Sequence, residues 1–283
     1  MTEAPILLVL LPFAASLLCL VNKLFPRRSF APVLGVLATI LSLALLGLAL
    51  PRVLAGGFFP YHLGGWMEPV GIALRLDGLA WISSVIATTV ALSALVYSLG
   101  EHAYGQYFYF FFLIMIAGMQ GVILTGDLFN MFVFLEILSI ATYVLVAYPG
   151  KRTSLLASFR YLLISSLGLA FSLLGVLILY AETGTLSLRL IAAAFQDGST
   201  LEPSCVLGVT SFVVGVAVKA ALMPLHTWLP DAHAYAPHPV SAILSGVMIK
   251  VSFLAVWRVV TVLGLSRLQD LLPGSARSPP PRP

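Results

Sequence analysis

Eight runs of about 18 to 25 mostly apolar residues divide this chain, and nothing else constrains its fold as tightly: 4–22, 31–50, 77–99, 107–125, 128–148, 155–180, 204–222 and 239–264. Coiled as an α-helix, a run of that length spans the hydrocarbon of a bilayer, and helix is a form in which backbone polar groups are satisfied without water. The chain is 60% hydrophobic and 9% charged, whereas a soluble domain carries about 25% charged residues. The expected fold is therefore an all-α polytopic membrane protein of about eight transmembrane helices. It forms one bundle over 1–265, because no polar stretch is long enough to build a second core. A short Pro/Arg-rich tail over 266–283, ending PGSARSPPPRP, has little to pack and is expected to be disordered.

A net charge of +4 and a pI of 9.2 do not indicate nucleic acid here, since the 15 basic residues are scattered and mostly at helix ends. The connection after the first run carries Lys23, Arg27 and Arg28, and the one after the fifth carries Lys151 and Arg152. The one after the sixth has Glu182, Asp197 and Glu202 against Arg189. By the positive-inside rule this places the N-terminus outside and the odd-numbered connections in the cytoplasm of a cell (plasma) membrane protein. The first run has no basic flank and follows Glu3, which reads as a spanning helix rather than a signal peptide. Cys19 and Cys205 lie in apolar segments and read as small hydrophobes.

Between the second and third runs, residues 51–76 are too interrupted by Gly and Pro to span, and Val70 to Leu76 alternates enough for a short strand or hairpin. LSLRLIAAAF, 186–195, is short and amphipathic and suits an interfacial helix. No tandem repeat is evident in the letters.

Charges inside the runs carry the functional argument, because each costs about 3 kcal/mol or more in hydrocarbon. Glu136 stands nine residues into the fifth run from Asp127, about 13.5 Å of helix rise and so near mid-membrane. It must be protonated, paired or facing water; a neutral acid gluing helices is the structural alternative, and the cost favours function. Asp127 and Asn130 read as an N-cap and its first turn. Lys219 precedes Pro224 by five residues, so carbonyls freed by the proline would lie beside it; the alternative is a lysine snorkelling to the nearby face. Lys250 lies eleven residues after Pro239, about 16 Å into the last run, with no local partner in its flanking letters, and carries the firmest functional reading. Arg160 reads as a membrane anchor, with a charge partner for an intramembrane acid as the second reading, and Arg258 as bundle-facing or snorkelling.

PLHTWLPDAHAYAPHP holds His226, His233 and His238 at spacings of seven and five, unlike the three or four that place two ligands on one helix face, so no metal is expected. His226 is the best placed of the three to relay protons. Pro224 and Pro230 mark breaks of the kind that expose polar backbone at depth in transporters. There is no GxGxxG, P-loop or CxxC, hence no expected cofactor: any redox centre lies on another chain.

GDLFNMFVFLEILSIATYVLVAY together with VKAALMPLHTWLPDAHAYAPHPVSAILSGVMIK resembles the antiporter-like membrane subunits shared by respiratory complex I, Mrp-type cation/proton antiporters and membrane-bound hydrogenases. LGGWMEPVGIALRLDGLA is similar to that family's loop before the third helix, so the resemblance runs over most of residues 50–260. It implies that Glu136 matches the family's fifth-helix glutamate, Lys219 its seventh-helix lysine, and Lys250 the eighth-helix lysine of some members. The resemblance also implies a discontinuous seventh helix, and a glutamate–lysine pair whose separation tunes the lysine's proton affinity. Ser245 stands where some members have a histidine, which points to the branch using Lys250. The resemblance covers the first half of such subunits, so a complete route is expected to need helices from a second polypeptide.

The expected function is translocation of protons, or exchange of sodium for protons, by a subunit of a larger complex in the lipid bilayer, with other membrane subunits as partners. Such a chain is at most a non-redox ion-pumping part of a membrane oxidoreductase. The alternative is a truncated structural fragment without a complete ion path; a metal-dependent membrane enzyme built on the three histidines is the remote third.

Overall fold

A computed structural model of the chain describes residues 3–21, 30–100, 104–196 and 203–262. Lys23, Arg27 and Arg28, Asp197 and Glu202, and the tail over 266–283 lie outside the described residues. The helices are α1 (Ala4–Val21), α2 (Ala31–Leu54), α3 (Gly78–Gly100), α4 (Gln106–Leu124), α5 (Leu128–Ala147), α6 (Arg152–Thr183), α7 (Leu188–Gln196), α8 (Pro203–Lys219), α9 (Leu229–Tyr235), α10 (His238–Ile243) and α11 (Ile249–Val262). Among the described residues seven segments are long and apolar enough to cross a membrane, counting His238–Thr261 as one, and α8 is a shorter apolar helix. Together these occupy the eight expected positions.

Between α2 and α3, strands β1 (Phe59–His62) and β2 (Ala73–Leu76) pair antiparallel, with Phe59 opposite Leu76. Gly64 and Gly65, at φ +65° and +78°, supply the left-handed turn that the reversal needs. Leu74 bridges Thr125, and Asp127 bridges Ser187, so the hairpin, the α4–α5 turn and the approach to α7 are knitted into one end of the bundle. In α7 the buried residues are Leu188, Ile191, Ala192 and Phe195, one apolar stripe at i, i+3, i+4 and i+7 on a short helix laid across that end.

The caps follow ordinary chemistry. Asp77 accepts the N–H of Ala80 at the head of α3, and Asp127 accepts that of Asn130 at 2.7 Å at the head of α5. Gly184, at φ +66°, closes α6. Helix α4 is buried almost all round and sits at the bundle's centre, while Leu37, Ile40, Leu41, Leu48, Leu163 and Leu167 turn outward as a lipid-facing surface does.

Helices α6 and α8 approach along two glycine pairs, seven residues apart on each helix. A Cβ on Gly175 would come within 2.5 Å of the Gly208 carbonyl, and one on Gly168 within 2.9 Å of the Gly215 carbonyl. Only small residues permit that backbone-to-backbone approach. Helix α8 stops at Lys219, three residues short of the expected boundary, and the last span is not one continuous α-helix: Leu244–Met248 forms a π-helical turn between α10 and α11.

Candidate functional site

The way α8 ends sets the site. Leu222 N–H donates to the Ala217 carbonyl and Ala221 N–H to the Val218 carbonyl, a Schellman pair in which Ala221 takes the left-handed position at φ +50°. As expected from Pro224, among the described residues no N–H donates to the carbonyls of Lys219, Ala220 or Ala221, which lie between this ending and the proline. The carbonyls of Val216, Ala217 and Val218 all have donors, and Val218 has a second in the Trp228 indole at 2.8 Å. Pro224 lies within the break of residues 220–228, but Pro230 sits in the first turn of α9, where a missing N–H costs nothing, so it opens a helix rather than breaking one.

Lys219 is the last residue of α8 and is 1% exposed, so it does not snorkel. Its ammonium sits at the negative end of the helix dipole. Nζ donates to the Tyr161 hydroxyl at 3.2 Å and stands 4.7 Å and 5.1 Å from the ring centroids of Tyr161 and Tyr143. Those rings meet edge to face at 4.7 Å, and Trp228 stacks on the other side of Tyr161 at 4.0 Å. Lys219 is thus caged by π faces, which attract a cation electrostatically. The buried hydroxyls of Tyr143 and Ser165 lack close hydrogen-bond partners among the described residues, and the Tyr143 ring is one of the two that face the amine.

Glu136 lies half-buried on α5, two turns from Tyr143 on the same helix, and acts electrostatically on Lys219. Among the described residues it has no ion pair within 4 Å. The structure therefore brings Glu136 and Lys219 into one electrostatic neighbourhood without a direct bridge.

Lys250 lies apart, exposed on the chain's surface. Contrary to the expectation of no local partner, its amine bonds the Ser245 carbonyl, offered by the π-helical turn. Met248 joins the two regions, its sulfur accepting from the Thr142 and Tyr161 hydroxyls at 3.5 Å and 3.8 Å. Arg160 is paired at 2.6 Å, but with Asp231 of α9 rather than an acid within a span, and the pair is largely exposed. His226 is exposed in the break, and among the described residues its ring makes no hydrogen bond or ion pair. His233 reaches Ser241 at 2.6 Å, and the described residues include no group of three His, Cys, Asp or Glu placed to hold a metal. Arg258 is buried and paired with Asp77 at 3.1 Å. Tyr143, Tyr161 and Trp228 were not singled out by the sequence; the signal available was aromatic residues near an intramembrane cation.

Residues 125–270 match the family model described as NADH:quinone oxidoreductase/Mrp antiporter, TM. The chain is 40% identical over 265 residues to NADH-quinone oxidoreductase subunit N of Desulforudis audaxviator, covering 90% of this chain and 52% of that protein. It is 31% identical to a Na(+)/H(+) antiporter subunit of Bacillus subtilis, covering 93% and 53%. Among solved structures, a chain of the archaeal membrane-bound sulfane sulfur reductase superposes with a TM-score of 0.87 at 30% identity, covering 96% of this chain and 56% of that one. The chain spans about half the length of the curated relatives it matches.

Proposed function

Because the chain belongs to the NADH:quinone oxidoreductase/Mrp antiporter transmembrane family, we propose that it is a proton-translocating, or sodium/proton-exchanging, subunit of a multi-subunit complex in the plasma membrane, with its N-terminus extracytoplasmic. The observation that carries this reading is Lys219, buried at the broken end of α8 in a cage of tyrosines and within the field of Glu136. An ionised Glu136 favours the ammonium form of Lys219 by charge attraction, and screening or neutralising Glu136 removes that hold. The proton then passes by way of the Tyr161 hydroxyl and the polar space beside Tyr143 toward Lys250. His226, exposed in the break, serves the cytoplasmic end of the route.

The exposure of Lys250 supports membership in an assembly. A lysine facing acyl chains costs about 3 kcal/mol, so a neighbouring membrane subunit covers that surface. The test is Glu136→Gln and Lys219→Ala in the assembled complex reconstituted into vesicles. Both variants are expected to assemble and lose ion movement, and unchanged transport would overturn the assignment.

A further inference from the structure

At the hairpin end, away from Lys219, a cleft of about 480 Å³ opens between β2, the head of α3, α7 and the end of α11. Its lining includes three guanidiniums, Arg75, Arg189 and Arg258, and one carboxylate, Asp77. Arg258 is held by Asp77 at 3.1 Å, and Arg189 by Glu68, whose one carboxylate oxygen accepts from Nε at 2.9 Å and Nη2 at 2.7 Å. Arg75 has no carboxylate within 4 Å among the described residues; it stacks over Phe58 at 5.1 Å and lies within the electrostatic reach of Arg258. Within the lining three guanidiniums meet one carboxylate, Asp77; Glu68 and Asp127 stand beside the cleft, and Arg75 is the lining guanidinium that no ion pair holds among the described residues.

The rest of the wall is mostly apolar, with Leu79, Leu188, Ala192 and Ala193 beside the hydroxyls of Thr125 and Thr261. Helix α7, which supplies Leu188 and Arg189, joins the end of the bundle where α3 and α5 begin, and the apolar spans of α3 and α5 start there, which sets this end at a bilayer's polar boundary. Guanidinium donors above an apolar floor at that depth match a phosphate group carried on acyl chains. We infer that this cleft is a phosphate-anion site that takes the headgroup of an acidic phospholipid, with Arg75 as its unpaired anchor. This assignment is independent of the ion route at Lys219.

The experiment uses the full chain in nanodiscs of phosphatidylcholine, of phosphatidylcholine with phosphatidylglycerol, and of phosphatidylcholine with added inorganic phosphate. Thermal unfolding and native mass spectrometry of retained lipid are read together. Phosphatidylglycerol is expected to raise the unfolding midpoint and to be retained. Arg75→Gln, which breaks no native ion pair, is expected to weaken that retention about tenfold. Arg152→Gln, at the opposite end of the bundle, should leave it unchanged. No effect of phosphatidylglycerol, or equal retention by Arg75→Gln, overturns the site; the same midpoint shift from inorganic phosphate alone overturns the lipid assignment.

Discussion

Trp228, fully buried, donates its indole N–H at 2.8 Å to the carbonyl of Val218, the residue before Lys219 in the chain. The same ring stacks on Tyr161, the hydrogen-bond partner of the Lys219 amine. One residue of the connection after α8 therefore holds the end of that helix and the lysine's partner together, so the break in the helix and the chemistry at its end are a single unit.

Tyr161→Phe isolates the hydrogen bond, because the ring that stacks on Trp228 and faces the ammonium remains. A hydrogen bond to a charged group contributes about 1.5 to 3 kcal/mol. Ion movement in reconstituted vesicles is expected to fall about tenfold or more, and the unfolding midpoint to fall as well, because the buried ammonium loses its acceptor. Wild-type rates in this variant would remove Tyr161 from the route.

Ala221 holds a left-handed backbone at φ +50° to complete the Schellman ending of α8. For a residue with a Cβ this costs about 1 to 2 kcal/mol, a cost glycine does not carry. Ala221→Gly is therefore expected to stabilise the chain, by about 1 kcal/mol once the extra freedom of glycine in the unfolded state is deducted. A thermal unfolding series would read this as a higher midpoint; a lower midpoint would show that the left-handed position is not strained.

Burial pushes the Asp127 carboxyl above its usual range, and nearby Glu68 adds to the shift; the N–H donors of Asn130 and Phe129 oppose it. A carboxyl that holds its proton longer when folded loses folded-state stability as pH rises from the unfolded value through the folded one. Asp127→Asn keeps an acceptor for the Asn130 N–H and does not titrate. Its unfolding midpoint relative to the wild type is expected to be higher at neutral pH than in acid. A gap that stays constant across pH would refute the shift.

The spans were legible because bilayer thickness and the obligation to satisfy backbone groups leave little freedom in the length of an apolar run. The hairpin over 59–76 showed itself in Gly and Pro that exclude a span, and α7 in its amphipathic letters. Asp127 was readable as a cap from its place before an apolar run. Partners distant in sequence were not readable. Tyr161 is 58 residues from Lys219 and is one aromatic among many, and Arg160 finds Asp231 only because α9 folds back against α6. The Lys250 partner depends on an extra residue wound into a helical turn at Leu244–Met248, which no local pattern announces. Pro230 misled because proline looks alike whether it ends a helix or begins one.

The paired glycines of α6 and α8 bear on how a device like this could work. With Gly168 against Gly215 and Gly175 against Gly208, the two backbones mesh like the teeth of a rack. Neither helix can slide or roll past the other without driving peptide groups into each other. Helix α8 is held fixed against α6. On the proposed ion-transfer reading, the parts left free to alternate are small and sit at its tip: the rotamer of Lys219 and the nine residues of 220–228 that join α8 to α9.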